Sequence, residues 1–201
     1  MHSKDFVTGL AEAMQVEPTE LATVDRSLAK AGLRQVAKGR YRPDISLLEG
    51  LQVVFGWAAA SKLTAAADEI NRLKLFRASR GDVLDPDDPD EGFEDPHFLD
   101  IYGCPQFKLA GENVFTVAVI VARTLGAGGY NPEKFWARVD RGGGVYFAHG
   151  GLFHHRGLSF DNLGAKYDFE QKSKRTIVPV RTTVAVSGAV LKWVFDVTEG
   201  A

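Results

Sequence analysis

The sequence is poor in cysteine and in long apolar runs. Its 201 residues include one cysteine, Cys104. A single thiol excludes an internal disulfide and a zinc cluster built from cysteines, which fits a reducing compartment. The longest apolar runs, such as NVFTVAVIVARTLG, are far shorter than the roughly 20 residues of a membrane-spanning helix, and the opening residues lack the basic-then-apolar order of a secretory signal. We therefore expect a soluble, cytoplasmic protein with no membrane partner.

Charge is nearly balanced over the chain but unevenly distributed along it. The sequence has 24 Lys and Arg against 26 Asp and Glu. Residues 26–42 carry six basic side chains and no acid, whereas residues 81–100 carry nine acids and neither Lys nor Arg. Three prolines and two glycines interrupt the acidic stretch, and its like charges keep it extended and solvated. We place an acidic, Pro-rich linker at residues 81–105.

The spacing of apolar residues predicts four helices ahead of this linker. Ser3 is expected to cap the first helix. Pro18 suits the start of the second helix, and Gly32 suits its end. Ser46 and Glu49 match a capping box that opens the third helix. The chain ahead of the linker is therefore predicted to be a small helical bundle.

Beyond the linker the pattern predicts helices first, then antiparallel strands, and then a last helix. An apolar helix is expected to end at Gly126, and a second helix to start at Pro132. Three consecutive glycines at 142–144 predict a hairpin, and Ser187 is placed to cap a last helix. The predicted fold class is α+β. The predicted domains are a helical domain at 1–80, the linker at 81–105, and a module of helices and a small antiparallel sheet at 106–201.

The first two predicted helices have the spacing of a helix-turn-helix. Ala11 lies where two helices must pack closely, and Gln15 lies where the pattern usually has glycine in a left-handed turn. Residues 7–26 resemble the helix-turn-helix of bacterial and phage regulators. A purely structural helical bundle gives the same spacing, so that alternative stays open. The apolar residues at the core positions of the pattern are Leu10, Met14, Val16, Leu21 and Val24.

That resemblance implies that the second helix enters the major groove of duplex DNA. The exposed side chains expected to contact DNA from this helix are Thr19, Thr23, Arg26, Ser27 and Lys30. The basic segment that follows would lie along the phosphate backbone, because each Lys or Arg at a phosphate releases counterions. Its contact residues would be Arg34, Lys38, Arg40 and Arg42.

Two observations oppose this interpretation. Glu17 and Glu20 lie near the start of the second helix, and acids close to phosphates reduce affinity unless they accept a hydrogen bond from a cytosine amine. A run of charge is also typical of a solvated loop. The basic segment can therefore be a phosphate-binding arm or an exposed loop.

A wider resemblance suggests a biological setting. The stretch TVDRSLAKAGLRQVAKGRYR, followed by a capped apolar helix, is similar to small helix-turn-helix proteins of proteobacterial prophage and gene-transfer-agent neighbourhoods. The resemblance implies a sequence-specific DNA-binding protein that regulates transcription of a phage or mobile element. Its C-terminal module would form a homo-oligomer or bind the transcription machinery or a phage protein. The alternative is a small terminase or another packaging factor, which also binds DNA but forms rings.

No pattern in the sequence predicts catalysis, a metal or a cofactor. His149, His154 and His155 are close in sequence, but neighbouring residues of a strand point to opposite faces, so the three do not form one metal site without a bulge. The acids at 85–90 do not match the spacing of a calcium loop. Cys104 has no recognisable histidine partner that would activate it. We expect the protein not to be an enzyme.

Overall fold

The structure is a computed structural model that describes residues 1–36, 43–78, 112–129, 131–151, 154–161 and 182–200. Helices come first in these ranges and a helix–sheet module follows, which confirms the predicted α+β class. The predicted linker lies outside the described residues. The α-helices are α1 (Ser3–Met14), α2 (Pro18–Lys30), α3 (Leu47–Ala59), α4 (Ala66–Leu73), α5 (Val114–Gly126) and α6 (Gly188–Thr198). The strands are β1 (Arg77–Ala78), β2 (Phe135–Asp140), β3 (Val145–Gly151), β4 (His154–Asp161) and β5 (Thr183–Ser187).

A short turn between α1 and α2 is built around a left-handed residue. Gln15 has φ 55° and ψ 45°, and within the described part of the chain it alone among non-glycine residues has a positive φ. The N–H of Gln15 donates to the carbonyl of Glu12 at 3.2 Å, and the N–H of Val16 donates to the carbonyl of Ala11 at 3.0 Å. These two bonds form a Schellman end. Glutamine therefore occupies the left-handed position that usually favours glycine.

The capping residue predicted from the sequence is found at the start of α3 but not at the start of α1. The Ser46 hydroxyl accepts from the N–H of Glu49 at 3.3 Å, and the Glu49 carboxylate accepts from the N–H of Ser46 at 2.9 Å, so the predicted capping box is confirmed. The prediction that Ser3 caps α1 is wrong. His2 is the N-cap residue, and the Ser3 hydroxyl donates instead to the carboxylate of Asp25 at 3.3 Å.

The five strands of the described residues form one antiparallel sheet in the order β1-β4-β3-β2-β5. β2 and β3 form the predicted hairpin, which turns at Gly142 with φ 71°. The helix predicted to start at Pro132 is only a 3₁₀ turn over Pro132–Lys134. Phe135 then begins β2, whose alternating burial and pairing to both β3 and β5 outweigh the helix-start signal. The prediction of a helix at this position is therefore wrong beyond the single 3₁₀ turn.

Buried side chains from both sides of the predicted linker pack into one core. The ring of Phe55 on α3 lies 5.9 Å, between centroids, from both Phe115 on α5 and Phe147 on β3. The ring of Phe6 on α1 lies 5.6 Å, between centroids, from that of Trp193 on α6. The helices of the first part and the helix–sheet module therefore share their apolar interior.

Close backbone approach and polar contacts strengthen this connection. A Cβ atom added at Gly50 of α3 would lie 2.7 Å from a methyl carbon of Val194 on α6, so these helices touch at the glycine. Arg72 of α4 donates from Nη1 to the carbonyl of Gly143 in the hairpin turn at 2.8 Å. The prediction of two domains does not anticipate a shared core. None of the helices in the described part of the chain has both the length and the hydrophobicity to span a lipid bilayer.

Candidate nucleic-acid interface

α2 buries one face in the core and presents the other to solvent. Leu21, Val24 and Leu28 are fully buried. The residues that face the opposite way follow each other at intervals of four, three and four, which places them in one line along the helix. Three are exposed and Thr23 is half-buried. We call this line the exposed row, and it consists of Thr19, Thr23, Arg26 and Lys30.

Hydrogen bonds within α2 order two side chains of the exposed row. The Thr23 hydroxyl donates to the carbonyl of Thr19 at 2.8 Å. Arg26 donates from Nε to the carbonyl of Ala22 at 3.1 Å and from Nη2 to the Thr23 hydroxyl at 3.3 Å. A guanidinium has five N–H donors, so these two contacts leave others for a ligand. The row therefore presents a partly pre-oriented arginine beside a threonine.

Ser27, which the sequence places among the exposed residues of α2, is turned toward α4. Its hydroxyl donates to the carbonyl of Thr64 at 3.0 Å and accepts from the N–H of Ala67 at 3.3 Å. Thr64 belongs to the 3₁₀ turn Leu63–Ala65 that leads into α4, and Ala67 belongs to the first turn of α4 itself. The Ser27 hydroxyl thus fastens α2 to that turn and is not part of the exposed row.

Arg34 is also turned inward, although the sequence predicts a phosphate contact for it. Its Nη2 donates to the Oδ2 atom of Asp25 at 2.9 Å, and its Nε faces the Oδ1 atom of the same carboxylate. The side chains are only 11% and 10% exposed. Burial raises the pKa of Asp25 above its ordinary value, and the charge of Arg34 offsets part of that rise. The charge of Arg34 is therefore neutralised inside the fold.

The chain after α2 is held against the start of α3. The N–H of Gln35 donates to the Oε1 atom of Glu49 at 2.6 Å, while the Oε2 atom of the same carboxylate accepts from Ser46. Glu49 therefore fixes both the capping box and the segment that follows Arg34. The other basic residues predicted to contact phosphate lie outside the described residues, and they are Lys38, Arg40 and Arg42.

A contact that the sequence did not reveal joins α2 to α3. The indole Nε1 of Trp57 donates to the Oε2 atom of Glu20 at 2.8 Å, and both residues are half-buried. Glu20 is one of the two acids that oppose DNA binding by α2. Glu20 lies on the flank of the exposed row, but its carboxylate is turned toward α3. Glu17, by contrast, remains exposed at the start of α2.

The described residues contain no group of three His, Cys, Asp or Glu side chains that could hold a metal ion. His149 lies on β3, and His154 and His155 lie on β4, where the backbone register pairs them with Gly151 and Gly150.

Comparison with known proteins gives no relative. The chain matches no protein-family model, and no curated protein or solved structure is significantly similar to it. The function is therefore inferred from the geometry of α2 and its surroundings.

Proposed function

We propose that this protein binds duplex DNA by placing α2 in the major groove. The observation that supports this proposal is the left-handed turn at Gln15, which joins α1 to α2 while the exposed row stays free of core contacts. The major groove of B-DNA is about 12 Å wide and accommodates an α-helix. The four side chains of the row are polar or basic, and none is an acid. Such a face is suited to base edges and phosphates.

The members of the exposed row would have different tasks. Arg26 would donate to the N7 and O6 atoms of guanine, because its planar guanidinium matches this pair of acceptors. Thr19 and Thr23 would contact base edges from the first turns of α2. Lys30, near the end of the helix, would contact phosphate and contribute to affinity at every sequence. Recognition of this kind is typical of a transcriptional regulator, and we propose that role for the protein.

Titration of labelled duplexes tests the proposal directly. We expect the full chain to bind random duplexes at low salt and selected duplexes more tightly. Arg26→Ala should cost roughly 1–3 kcal/mol at selected sites, because it removes a paired contact to one base. Lys134→Ala is the matched control, since Lys134 is exposed on another element and should leave affinity unchanged. If no duplex is bound at low salt, DNA binding is excluded.

The mass of the protein in solution separates the two DNA-binding roles that the sequence suggests. The chain has a mass of 21.9 kDa. A regulator is expected as a monomer or small oligomer, whereas a small terminase assembles into a ring of many subunits. Light scattering after size exclusion would therefore assign the protein to one role or the other.

A further inference from the structure

Trp57 has a contact that bears on how α2 meets a polyanion. We propose that Trp57 is a positioning residue of the DNA-binding face, which holds the negative charge of Glu20 away from the phosphates. The inference rests on the proposed DNA binding. It is carried by the hydrogen bond of 2.8 Å from the indole Nε1 of Trp57 to the Oε2 atom of Glu20.

The position of Glu20 on α2 explains why it needs to be held. Successive residues of an α-helix are about 100° apart, so Glu20 lies on the flank of the exposed row, next to Thr19 and Thr23. A glutamate side chain has three rotatable bonds, and an unrestrained carboxylate there would sample positions beside the row. The indole N–H restricts the carboxylate to the side that faces α3.

The same flank of α2 is fixed at a second point. About two turns farther along the helix, the Ser27 hydroxyl donates to the carbonyl of Thr64 and accepts from the N–H of Ala67. Glu20 and Ser27 thus hydrogen-bond to neighbouring elements along one flank of α2. This flank lies between the buried face of the helix and the exposed row. This arrangement ties polar side chains to the fold on one flank and leaves the row open.

The distance between the Glu20 carboxylate and the DNA phosphates determines how strongly they repel each other. Arg26 and Lys30 give the exposed row two positive charges. A carboxylate beside the first turns of the row would repel phosphates, and the repulsion is appreciable within the Debye length of about 8 Å at physiological salt. An acid near the start of a helix also stabilises that helix through its dipole. The Trp57 contact therefore keeps the stabilising acid in α2 while reducing its repulsion of DNA.

The test measures DNA affinity of full-chain variants at two salt concentrations. Trp57→Phe keeps an aromatic ring but removes the N–H donor. It should weaken binding about three- to tenfold at low salt, and the deficit should shrink as salt rises because exposed charges are screened. The double variant Trp57→Phe with Glu20→Gln should bind DNA as tightly as the single Glu20→Gln variant. If Trp57 had only a structural role, adding Glu20→Gln would not restore the DNA affinity lost in Trp57→Phe.

Two further variants keep the inference falsifiable if Trp57→Phe folds poorly. Glu20→Gln alone keeps an acceptor for the indole and should change affinity by less than about twofold, because the charge is already held aside. A large gain in affinity would contradict the inference. Trp193→Phe is the matched control, since that indole packs on Phe6 and should show no dependence on Glu20.

The outcomes separate this inference from the proposed function. Thermal denaturation first shows whether the Trp57→Phe variant is folded. If wild-type protein binds DNA and the folded variant binds equally well at low salt, the role of Trp57 is refuted while DNA binding stands. If wild-type protein binds no duplex, both are refuted.

Discussion

Asp25 and Arg34 form a side-on ion pair in which each side chain is about nine-tenths buried. The pair joins α2 to the segment that follows it, and the Ser3 hydroxyl of α1 contacts the same carboxylate. A buried ion pair adds little net stability, because both charges lose their hydration, but the loss of one partner leaves the other charge uncompensated. The pair therefore fixes where the chain runs after α2 and removes one arginine from the surface.

Replacing one member of this pair should be costly. Asp25→Ala is expected to lower the free energy of unfolding by about 3–5 kcal/mol, because the guanidinium of Arg34 stays buried without its partner. Urea denaturation measures this change. The double variant Asp25→Leu with Arg34→Met should recover most of the loss. Arg123→Ala removes an exposed ion pair with Glu199 and should have little effect. If the free energy of unfolding of Asp25→Ala were unchanged, the guanidinium of Arg34 would have to move into solvent in that variant.

Tyr146 should give the protein a distinct alkaline titration. Burial raises the pKa of Tyr146 to about 12, and the charge of Arg138 offsets part of the rise. Its hydroxyl has no hydrogen-bond partner among the described residues. The folded state thus keeps this proton more firmly than the unfolded state does. The contribution to stability is present below the ordinary pKa of about 10 and is lost as the pH rises toward 12.

The measurement is the absorbance of tyrosinate as the pH is raised. One of the five tyrosines should ionise later than exposed tyrosines, and Tyr146→Phe should remove that late step. A late step that persists in Tyr146→Phe would assign it to another tyrosine.

Salt dependence distinguishes a phosphate-binding arm from a solvated loop in the basic segment. If Lys38, Arg40 and Arg42 contact phosphates, replacing all three by Ala should weaken binding to every sequence. It should also flatten the slope of log affinity against log salt by about 0.9 for each lost contact. Thr23→Ala should instead relax base preference with little change of slope. A wild-type slope in the triple variant would leave the segment as a solvated loop.

Gly50 should tolerate no larger side chain. Alanine is the better helix former and would ordinarily stabilise α3 by roughly 0.5–1 kcal/mol. Here its Cβ would lie 2.7 Å from Val194 and 3.0 Å from Phe6, so we expect Gly50→Ala to cost about 1–3 kcal/mol instead. Thermal unfolding would show the loss. Adding Val194→Ala should relieve part of it, and an increase in stability of the single variant would contradict this packing.

Local features of the fold were predictable because their causes are close in sequence. Gly32 ends α2 with φ 71° and a Schellman pair of bonds, as its position predicts. The Ser46–Glu49 capping box spans one turn, and the glycines at 142–144 mark the hairpin. Gln15 lies where the pattern usually has glycine, and it does adopt the left-handed conformation. A left-handed residue other than glycine costs roughly 1 kcal/mol, which the packing of Val16 against the core helps to offset.

The candidate site was less predictable because its contacts join distant residues. Trp57 and Glu20 are 37 residues apart, and Ser3 and Asp25 are 22 apart. Helical periodicity places Trp57 on an apolar helix without indicating where its N–H points. The charge pattern likewise counts Arg34 with the other basic residues, although tertiary packing pairs it with Asp25.

The contact between Phe6 and Trp193 has a consequence for synthesis of the protein. Almost the whole chain separates the two residues, so α1 leaves the ribosome long before α6 exists to cover it. A nascent chain would expose the part of α1 that Trp193 covers and would be a natural client for chaperones. The proposed recognition helix would reach full stability only after α6 has been translated. Incomplete polypeptides would then compete poorly with finished protein for the same DNA.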